Sequence, residues 1–437
     1  MKKPIIVGLL LFIAGSLFAA NPISHLPETP SASSSIHFLS LADIHFDPFI
    51  SCQNKVPCPL VEKLRQAPAN QWAMILAKYD TALPQDKQDS NYPLLVSALQ
   101  AAKKVGEAKH VQFVLILGDF LGHDFRSHYK KYSTDPHIAG YVSFVKKTFE
   151  FLMGELQRTF PTTDVYTVVG NNDSYQGDYF SKPKGRFFQE MATRWSGLIK
   201  NKSNQSSMAK TFATAGYYAL TIPGQPELRL IVLNSNLFSS ERIGRGLEEA
   251  ANQELEWLHK ELIDVKEKHQ KAFIAMHIPM GIDIYKSLRV RLFTLLGLWQ
   301  SSDRQRFQVE LQEFSQDISA VFTGHLHSDF FQVMNLGRTN AILMAGTPSI
   351  SPIFGNNPGF KIYAYSAASL ALEDFITYYF PLNNEKAWGM ENDFNRLYQP
   401  NCHDCPHFSS SALWAPYYWC AIGKWVGSDD KMCAQIN

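Results

Sequence analysis

The sequence predicts an α/β fold, on three observations. Short apolar runs, each closed by Asp, Gly, Asn or His, recur along the chain. Longer stretches with helical periodicity lie between them. Of the 437 residues, 45% are hydrophobic, enough for a large buried core. Strand and helix in alternation imply sheets covered by helices.

The chain opens on Met1-Lys2-Lys3, an apolar run from Ile5 to Phe18, and the small pair Ala19-Ala20. That is the charged region, apolar region and cleavage site of a secretory signal peptide, expected over residues 1–20. Leu17 and Phe18 are larger than the residue usually found three before a cut, so an uncleaved anchor is the alternative. The run is short for a membrane span. No later segment qualifies, because Leu292 to Trp299 is bounded by Arg289, Arg291 and Asp303. The mature chain is therefore expected to be soluble and secreted or periplasmic, with no transmembrane segment.

Residues 21–35, ending in the run Ser31 to Ser35, form a linker. A catalytic domain is expected over 36–380. Its strand-like runs are His37 to Ala42, Val111 to Leu117, Val165 to Val169, Leu228 to Leu233, Ala272 to Met276, Ile318 to Phe322 and Ala341 to Met344. Helical periodicity marks Leu94 to Val105, Tyr141 to Leu156 and Glu248 to Lys268. Residues 381–437 are aromatic and cysteine-rich, without clear alternation, and form a small C-terminal cap.

All 6 cysteines, Cys52, Cys58, Cys402, Cys405, Cys420 and Cys433, follow the signal. An even number in an exported chain favours disulfides over a zinc knot around Cys402-His403-Asp404-Cys405. Cys52 with Cys58 is the obvious local loop, and the other pairings stay open. Lys plus Arg number 41 against 40 Asp plus Glu, so no global field draws nucleic acid or an anionic membrane.

The chemistry lies at the ends of the apolar runs. Asp43-Ile44-His45, Gly118-Asp119, Gly170-Asn171-Asn172-Asp173, His277 and Gly324-His325-Leu326-His327 each follow one. Such a set converges carboxylate, imidazole and amide donors on one sheet edge, enough for two cations. Asp119 follows a glycine that permits a tight turn, and is read as the carboxylate shared by both ions. A lone histidine is more often structural than a ligand, but five islands spaced this way argue for metal.

In order and content these islands resemble the calcineurin-like metallophosphoesterases, whose pattern is D-x-H, G-D, G-N-H-[DE], H and G-H-x-H. The resemblance implies a four-layer α-β-β-α sandwich with two mixed sheets. It assigns Asp43, His45, Asp119 and His327 to one metal, and Asp119, Asn171, His277 and His325 to the other. Two ions of this kind clamp phosphoryl oxygens and activate water. Zinc is the expected pair, with manganese or iron also suited to such donors.

Gly118-Asp119-Phe120-Leu121-Gly122-His123-Asp124 is similar to the G-D-x-x-x-H-D of acid sphingomyelinase-like phosphodiesterases. So are His277-Ile278-Pro279-Met280-Gly281, Asn234-Ser235-Asn236, Asn357-Pro358-Gly359 and the Cys420 to Cys433 region. The likeness lacks a saposin-like domain before the first strand. It implies a small phosphoester, nucleotide or phospholipid as substrate.

One departure matters: Asn172 stands where the pattern has histidine. An amide cannot act as an acid, so Asn172 donates at most a hydrogen bond. His123 is then the candidate acid, oriented by Asp124. The G-N-N-D block also resembles endopolyphosphatases, and sphingomyelin is a further candidate substrate. A secreted metal-binding protein without catalysis is the reading of another class.

Several residues carry two readings. His128 and His137 are loop residues that could meet substrate. Asp173 is expected to fix its loop. Tyr175, Tyr179 and Phe354 stack on a base, line a lipid groove or pack locally. Arg289, Leu292 and Leu295 to Trp299 touch lipid or cover the core. Asn172, Asn201 and Asn204 each begin an N-x-[ST] sequon, of which the first is chance.

Overall fold

The computed structural model describes residues 35–53, 55–283, 286–287, 296–335, 341–382 and 387–398. The expected signal peptide, the linker up to residue 34, Arg289, Leu292, Leu295 and residues 399–437 of the expected C-terminal cap, with its four cysteines, lie outside them.

Twelve described strands form two six-stranded sheets. In the first, β1 (Ser35–Leu41), β2 (Phe113–Ile116) and β3 (Asp164–Thr167) run parallel. Beyond β1 the sheet turns antiparallel through β10 (Gly359–Ser366), β11 (Leu372–Tyr379) and β12 (Gly389–Asp393). It thus runs on past Phe380.

The second sheet is β4 (Tyr218–Ile222), β5 (Gln225–Val232), β6 (Lys271–Ala275), β7 (Ile318–Thr323), β9 (Ala341–Gly346) and β8 (Phe330–Asn335), in that order. Its four central strands β5, β6, β7 and β9 are parallel. β4 and β8 close the edges antiparallel.

The sheets pack face to face through aromatic rings. Phe38 of β1 meets Phe322 of β7 edge-on at 5.1 Å, and Tyr365 of β10 meets Phe273 of β6 at 5.4 Å. Such edge-to-face pairs interdigitate well across a sheet interface. Helices α3 (Tyr92–Ala108) and α5 (Ile138–Thr159) belong to the first sheet's outer layer. Helix α8 (Leu247–Glu267) and the helix Ser301–Glu313 cover the second, burying Leu255, Leu258, Phe307 and Leu311. The result is the α-β-β-α sandwich with two mixed sheets.

The parallel strands were legible because both their faces are buried. Phe113–Ile116 and Ile318–Thr323 are buried at every position, which writes a continuous apolar run rather than alternation. The expected disulfide between Cys52 and Cys58 is formed.

Candidate metal centre

In both sheets the parallel strands end on the same edge, and each island sits within four residues of such an end. Asp43 and His45 follow β1, Asp119 follows β2, Asn171 follows β3, His277 follows β6, and His325 and His327 follow β7. Ligands of open α/β sheets gather at this edge.

The turns there are tight. Gly118 has φ +90°, and a Cβ on it would lie 2.8 Å from the Gly170 backbone and from the His277 ring. A Cβ on Gly170 would collide with the Asp119 backbone and carboxylate. Only glycine lets the two loops approach so closely. Asp43, His45, Asp119, His325 and His327 all have positive φ, between 43° and 70°. Such strain in bulky residues persists where surrounding structure over-determines it, commonly at functional sites.

All seven sequence-predicted ligands converge. Asp119 Oδ2 lies 3.3 Å from His45 Nε2 and 3.2 Å from His277 Nε2. His45 Nε2 is 3.1 Å from His327 Nε2 and 3.8 Å from Asp43 Oδ1, and His327 Nε2 is 3.5 Å from Asp43 Oδ1. On the other side Asn171 Oδ1 lies 2.9 Å from His277 Nε2. Asp43, His45 and Asp119 form one group, and Asp119, His277 and His325 another, each with donor atoms within 4.8 Å. Asp119 belongs to both.

The donor atoms are oriented inward by partners behind them. His45 Nδ1 is 2.9 Å from the Leu121 carbonyl, and His277 Nδ1 is 2.7 Å from the Leu117 carbonyl. A carbonyl only accepts, so each Nδ1 carries the proton and each Nε2 presents its lone pair. Asn171 Nδ2 donates to Asp178 at 2.7 Å, which turns the amide oxygen inward. Asp43 accepts from the His325 backbone N–H at 2.9 Å, tying the loops of the two sheets.

These lone pairs repel one another unless positive charge stands between them. Burial disfavours charge on His45 and His277, yet Asp119 outweighs it and holds their pKa values up, at about 10 and about 9. Asp119 stays well below the usual carboxylate range despite burial, through His277 and His45. Burial, with His277 as neighbour, pushes His325 down to about 3; burial, with His45 beside it, lowers His327 far below its usual value. Neutral imidazoles and an ionised shared carboxylate are the forms that bind cations, so an ion entering the site would displace the Nε2 protons of His45 and His277. His327 Nδ1 is also buried without a hydrogen-bond partner. The donor set fits two divalent ions.

Asp173 does what its position predicts. It accepts the backbone N–H groups of Asp119 at 3.0 Å, Phe120 at 2.9 Å and Gly170 at 2.9 Å. Burial, reinforced by Asp119, pushes its pKa up to about 7. Asn172 turns to the shared carboxylate: its backbone N–H donates to Asp119 Oδ1 at 2.8 Å and its side-chain amide to Oδ2 at 3.0 Å.

His123 stacks on His45 at 4.1 Å between ring centres. Its orienting carboxylate is Asp89, not Asp124: Asp89 accepts from the His123 backbone N–H at 2.7 Å and faces Nδ1 at 3.0 Å. Asp124 has a left-handed backbone at the start of the helix Phe125–Tyr132, and its side chain makes no capping bond there. Burial raises the Asp89 carboxyl, but His123 outweighs it and the pKa is lowered.

Sequence reading missed Asp89 and Asp178. Asp178 follows Asn171 by seven residues in an irregular loop, and Asp89 precedes His123 by 34 residues, so no local spacing signals either. Asn234-Ser235-Asn236 lies behind the site, where Asn236 donates to the Gly170 carbonyl at 2.8 Å and Ser235 Oγ accepts from Ile278 N–H at 2.7 Å.

The remaining candidates divide. His128 pairs with Asp47 at 3.2 Å, and His137 precedes α5, where its N–H donates to Asp135 at 3.1 Å. Tyr175 is buried and donates to Glu190 at 2.5 Å, so it packs locally. Phe354 lies edge-on to His327 at 4.7 Å, and Tyr179 to His325 at 6.3 Å, so both flank the cluster. Asn201 caps a helix by accepting from Asn204 N–H at 3.0 Å.

Two groups of donors that could each hold a cation, sharing one carboxylate at the strand ends of a double-sheet sandwich, fit a dinuclear metallohydrolase architecture. The sequence over residues 36–329 matches the calcineurin-like phosphoesterase family, and the chain belongs to it. It is a metal-dependent phosphoester hydrolase. Acid sphingomyelinase-like phosphodiesterase 3b of Mus musculus is 24% identical over 381 residues, covering 83% of this chain and 75% of that one. Cyclic GMP-AMP phosphodiesterase SMPDL3A of Bos taurus is 24% identical over 328 residues, covering 71% and 66%. A sphingomyelinase phosphodiesterase D of Dictyostelium discoideum is 27% identical over 258 residues, covering 56% and 55%.

Proposed function

We propose that this chain is an exported phosphodiesterase of nucleotide-type substrates, with His123 as the acid that protonates the leaving oxygen. The observation that carries the reading is His123 itself: stacked on His45, held by Asp89, with a ring nitrogen grouped with those of His45 and His327. Two divalent ions, expected to be zinc, would supply, when bound, positive charge for the phosphoryl oxygens and a water acidic enough to attack.

The chain's own residues do the rest. Asp43, His45, Asp119 and His327 would hold one ion, and Asp119, Asn171, His277 and His325 the other. Asn172 fixes the Asp119 carboxylate through two hydrogen bonds. Water oxygen bonds to phosphorus and gives up a proton to solvent as the bond to the leaving oxygen breaks, and His123 Nε2 delivers its proton to that oxygen. Asp89 on Nδ1 keeps the ring aimed. His123 then recovers a proton from solvent. Export is supported by the Cys52–Cys58 disulfide.

Substrates of differing leaving group test the acid. His123→Gln is expected to lower kcat about 10²- to 10⁴-fold for a dinucleoside phosphate, whose alcohol leaves only with a proton. With bis-p-nitrophenyl phosphate, whose phenolate leaves unaided, the loss should be under tenfold. Equal losses on both substrates would remove His123 from the acid role. No turnover of either by metal-loaded wild type would overturn the proposed function.

A further inference from the structure

Asn234-Ser235-Asn236 lies behind the cation site, and a buried acid on α8 holds it there. We propose that Glu254 is a positioning residue for one of the two ions: it anchors the turn that ties the Asn171 loop to the His277 loop. The inference rests on the two-cation reading of the site and adds to it a residue that touches none of the ligands.

The turn reaches both loops. Asn236 Nδ2 donates at 2.8 Å to the carbonyl of Gly170, the residue before Asn171. Ser235 Oγ accepts at 2.7 Å from the N–H of Ile278, the residue after His277. Asn171 and His277 meet at 2.9 Å, and neither belongs to the group Asp43, His45 and Asp119. A displaced turn therefore acts on two donors of one ion and spares those peculiar to the other.

The sheet itself does not hold the turn. Leu233 N–H bonds the Ala275 carbonyl at 2.8 Å, and β4, the neighbour on the other side, pairs only as far as Val232. The next donor, the buried Asn234 N–H, falls beyond both ladders, and Glu254 Oε1 accepts it at 2.6 Å. Left unpaired, a buried N–H is costly. The Asn234 side chain donates to the Ala215 carbonyl at 2.7 Å, but side-chain torsions separate that bond from the backbone. The Glu254 bond fixes the backbone itself.

Glu254 suits the task because its surroundings fix it. It is fully buried on the same face of α8 as Ala250, Ala251, Leu255 and Leu258. Its Oε2 has no hydrogen-bond partner among the described residues. Burial pushes its pKa well above 4.5, outweighing the Asn234 bond, and Asp303 adds to the rise. A neutral carboxyl avoids the cost of a buried charge with one hydrogen bond. It offers a carbonyl oxygen to Asn234, as a glutamine amide would.

Zinc binding by chelator competition tests the assignment on wild type, Glu254→Met, Glu254→Gln and Leu262→Ala. Methionine keeps the bulk without the acceptor. Leu262→Ala opens the same buried face of α8 roughly 12 Å further along. Glu254→Met should weaken one zinc ion about 10- to 100-fold and leave the other within about twofold. Glu254→Gln and Leu262→Ala should leave both within about twofold. Wild-type binding of both ions by Glu254→Met, an equal loss in Glu254→Gln, or an equal loss in Leu262→Ala overturns the assignment. Asn236→Ala completes a double-mutant cycle: combined with Glu254→Met it should weaken that ion no more than the stronger single change, and additive losses overturn the route through the turn.

If Glu254→Met does not fold, Glu254→Asp replaces it, withdrawing the acceptor by one methylene. The same selective loss supports the assignment, and unaltered binding overturns it. A wild type that binds only one zinc ion fails the two-cation reading, and Glu254 is then judged on the metal-free chain by hydrogen exchange. Ile278 N–H should exchange at least about tenfold faster in Glu254→Met than in Leu262→Ala. Equal rates overturn the assignment.

Discussion

Asp119 is the candidate shared ligand because two histidine nitrogens approach one of its oxygens while Asn172 and Asp173 hold the loop beneath it. The side chains behind the ligands matter almost as much. Asp178 alone turns the Asn171 amide oxygen toward the site, so Asp178→Ala should weaken one of the two bound ions about 10- to 100-fold and spare the other. A chelator-competition titration resolves the two affinities; two unchanged affinities would remove Asp178 from that role. All seven ligands were legible because each stands within four residues of the end of an apolar run. Asp89 and Asp178 were not, since hydrogen bonds across irregular loops leave no spacing to read. Adjacency misled in the case of Asp124: sharing a turn with His123 is not facing it.

Strands and helices were legible in proportion to how evenly they are buried. α3 and α5 carry clear periodicity, and β2 and β7 are unbroken apolar runs. β11 mixes buried and half-buried positions and β12, the edge strand, buries none, so their pattern is weak. The helix Lys202–Ala215 is mostly polar and buries only Met208, Phe212 and Ala215. Some helices are fastened by charge. Glu190, on the helix Arg186–Ser196, accepts from Lys146 of α5 at 2.8 Å, from Arg186 at 2.6 Å and from Tyr175. Burial opposes its charge, but these partners win and depress its pKa from 4.5 to about 2. A depressed carboxylate stabilises the fold above its unfolded pKa and loses that contribution as pH falls through the folded value. Glu190→Gln should therefore cost about 1–2 kcal/mol at pH 7, after discounting for partial exposure. The gap between variant and wild type should close between pH 4.5 and 2 in urea melts. A gap independent of pH would show that packing, not charge, sets the cost.

The two sheets must hold a common edge for the ligands to meet, and one buried ion pair fastens them just behind it. Lys361 of β10 is fully buried, donates to the Gly346 carbonyl of β9 at 2.7 Å and faces Asp329 at 2.5 Å. Asp329, two residues beyond His327, also accepts from Thr377 of β11 at 2.6 Å and Asn392 of β12 at 3.1 Å. Removing one partner leaves the other charged and unpaired, so Asp329→Ala should cost about 3–5 kcal/mol. Replacing both, as Lys361→Met with Asp329→Leu, should cost less than either single change, because no bare charge remains. Equal losses for single and double variants would contradict this. Neither partner was legible, since a lysine inside an apolar run has no visible counter-charge until the fold supplies one.

Everything proposed for this chain depends on two cations sharing Asp119. Metal content by mass spectrometry, on wild type and Asp119→Asn after identical loading and dialysis, tests that sharing. The geometry predicts two divalent ions per wild-type chain. Loss of the shared carboxylate should leave the variant with fewer than one, its fold unchanged by circular dichroism. A wild type that holds one ion, or an Asp119→Asn variant that keeps two, would contradict the account.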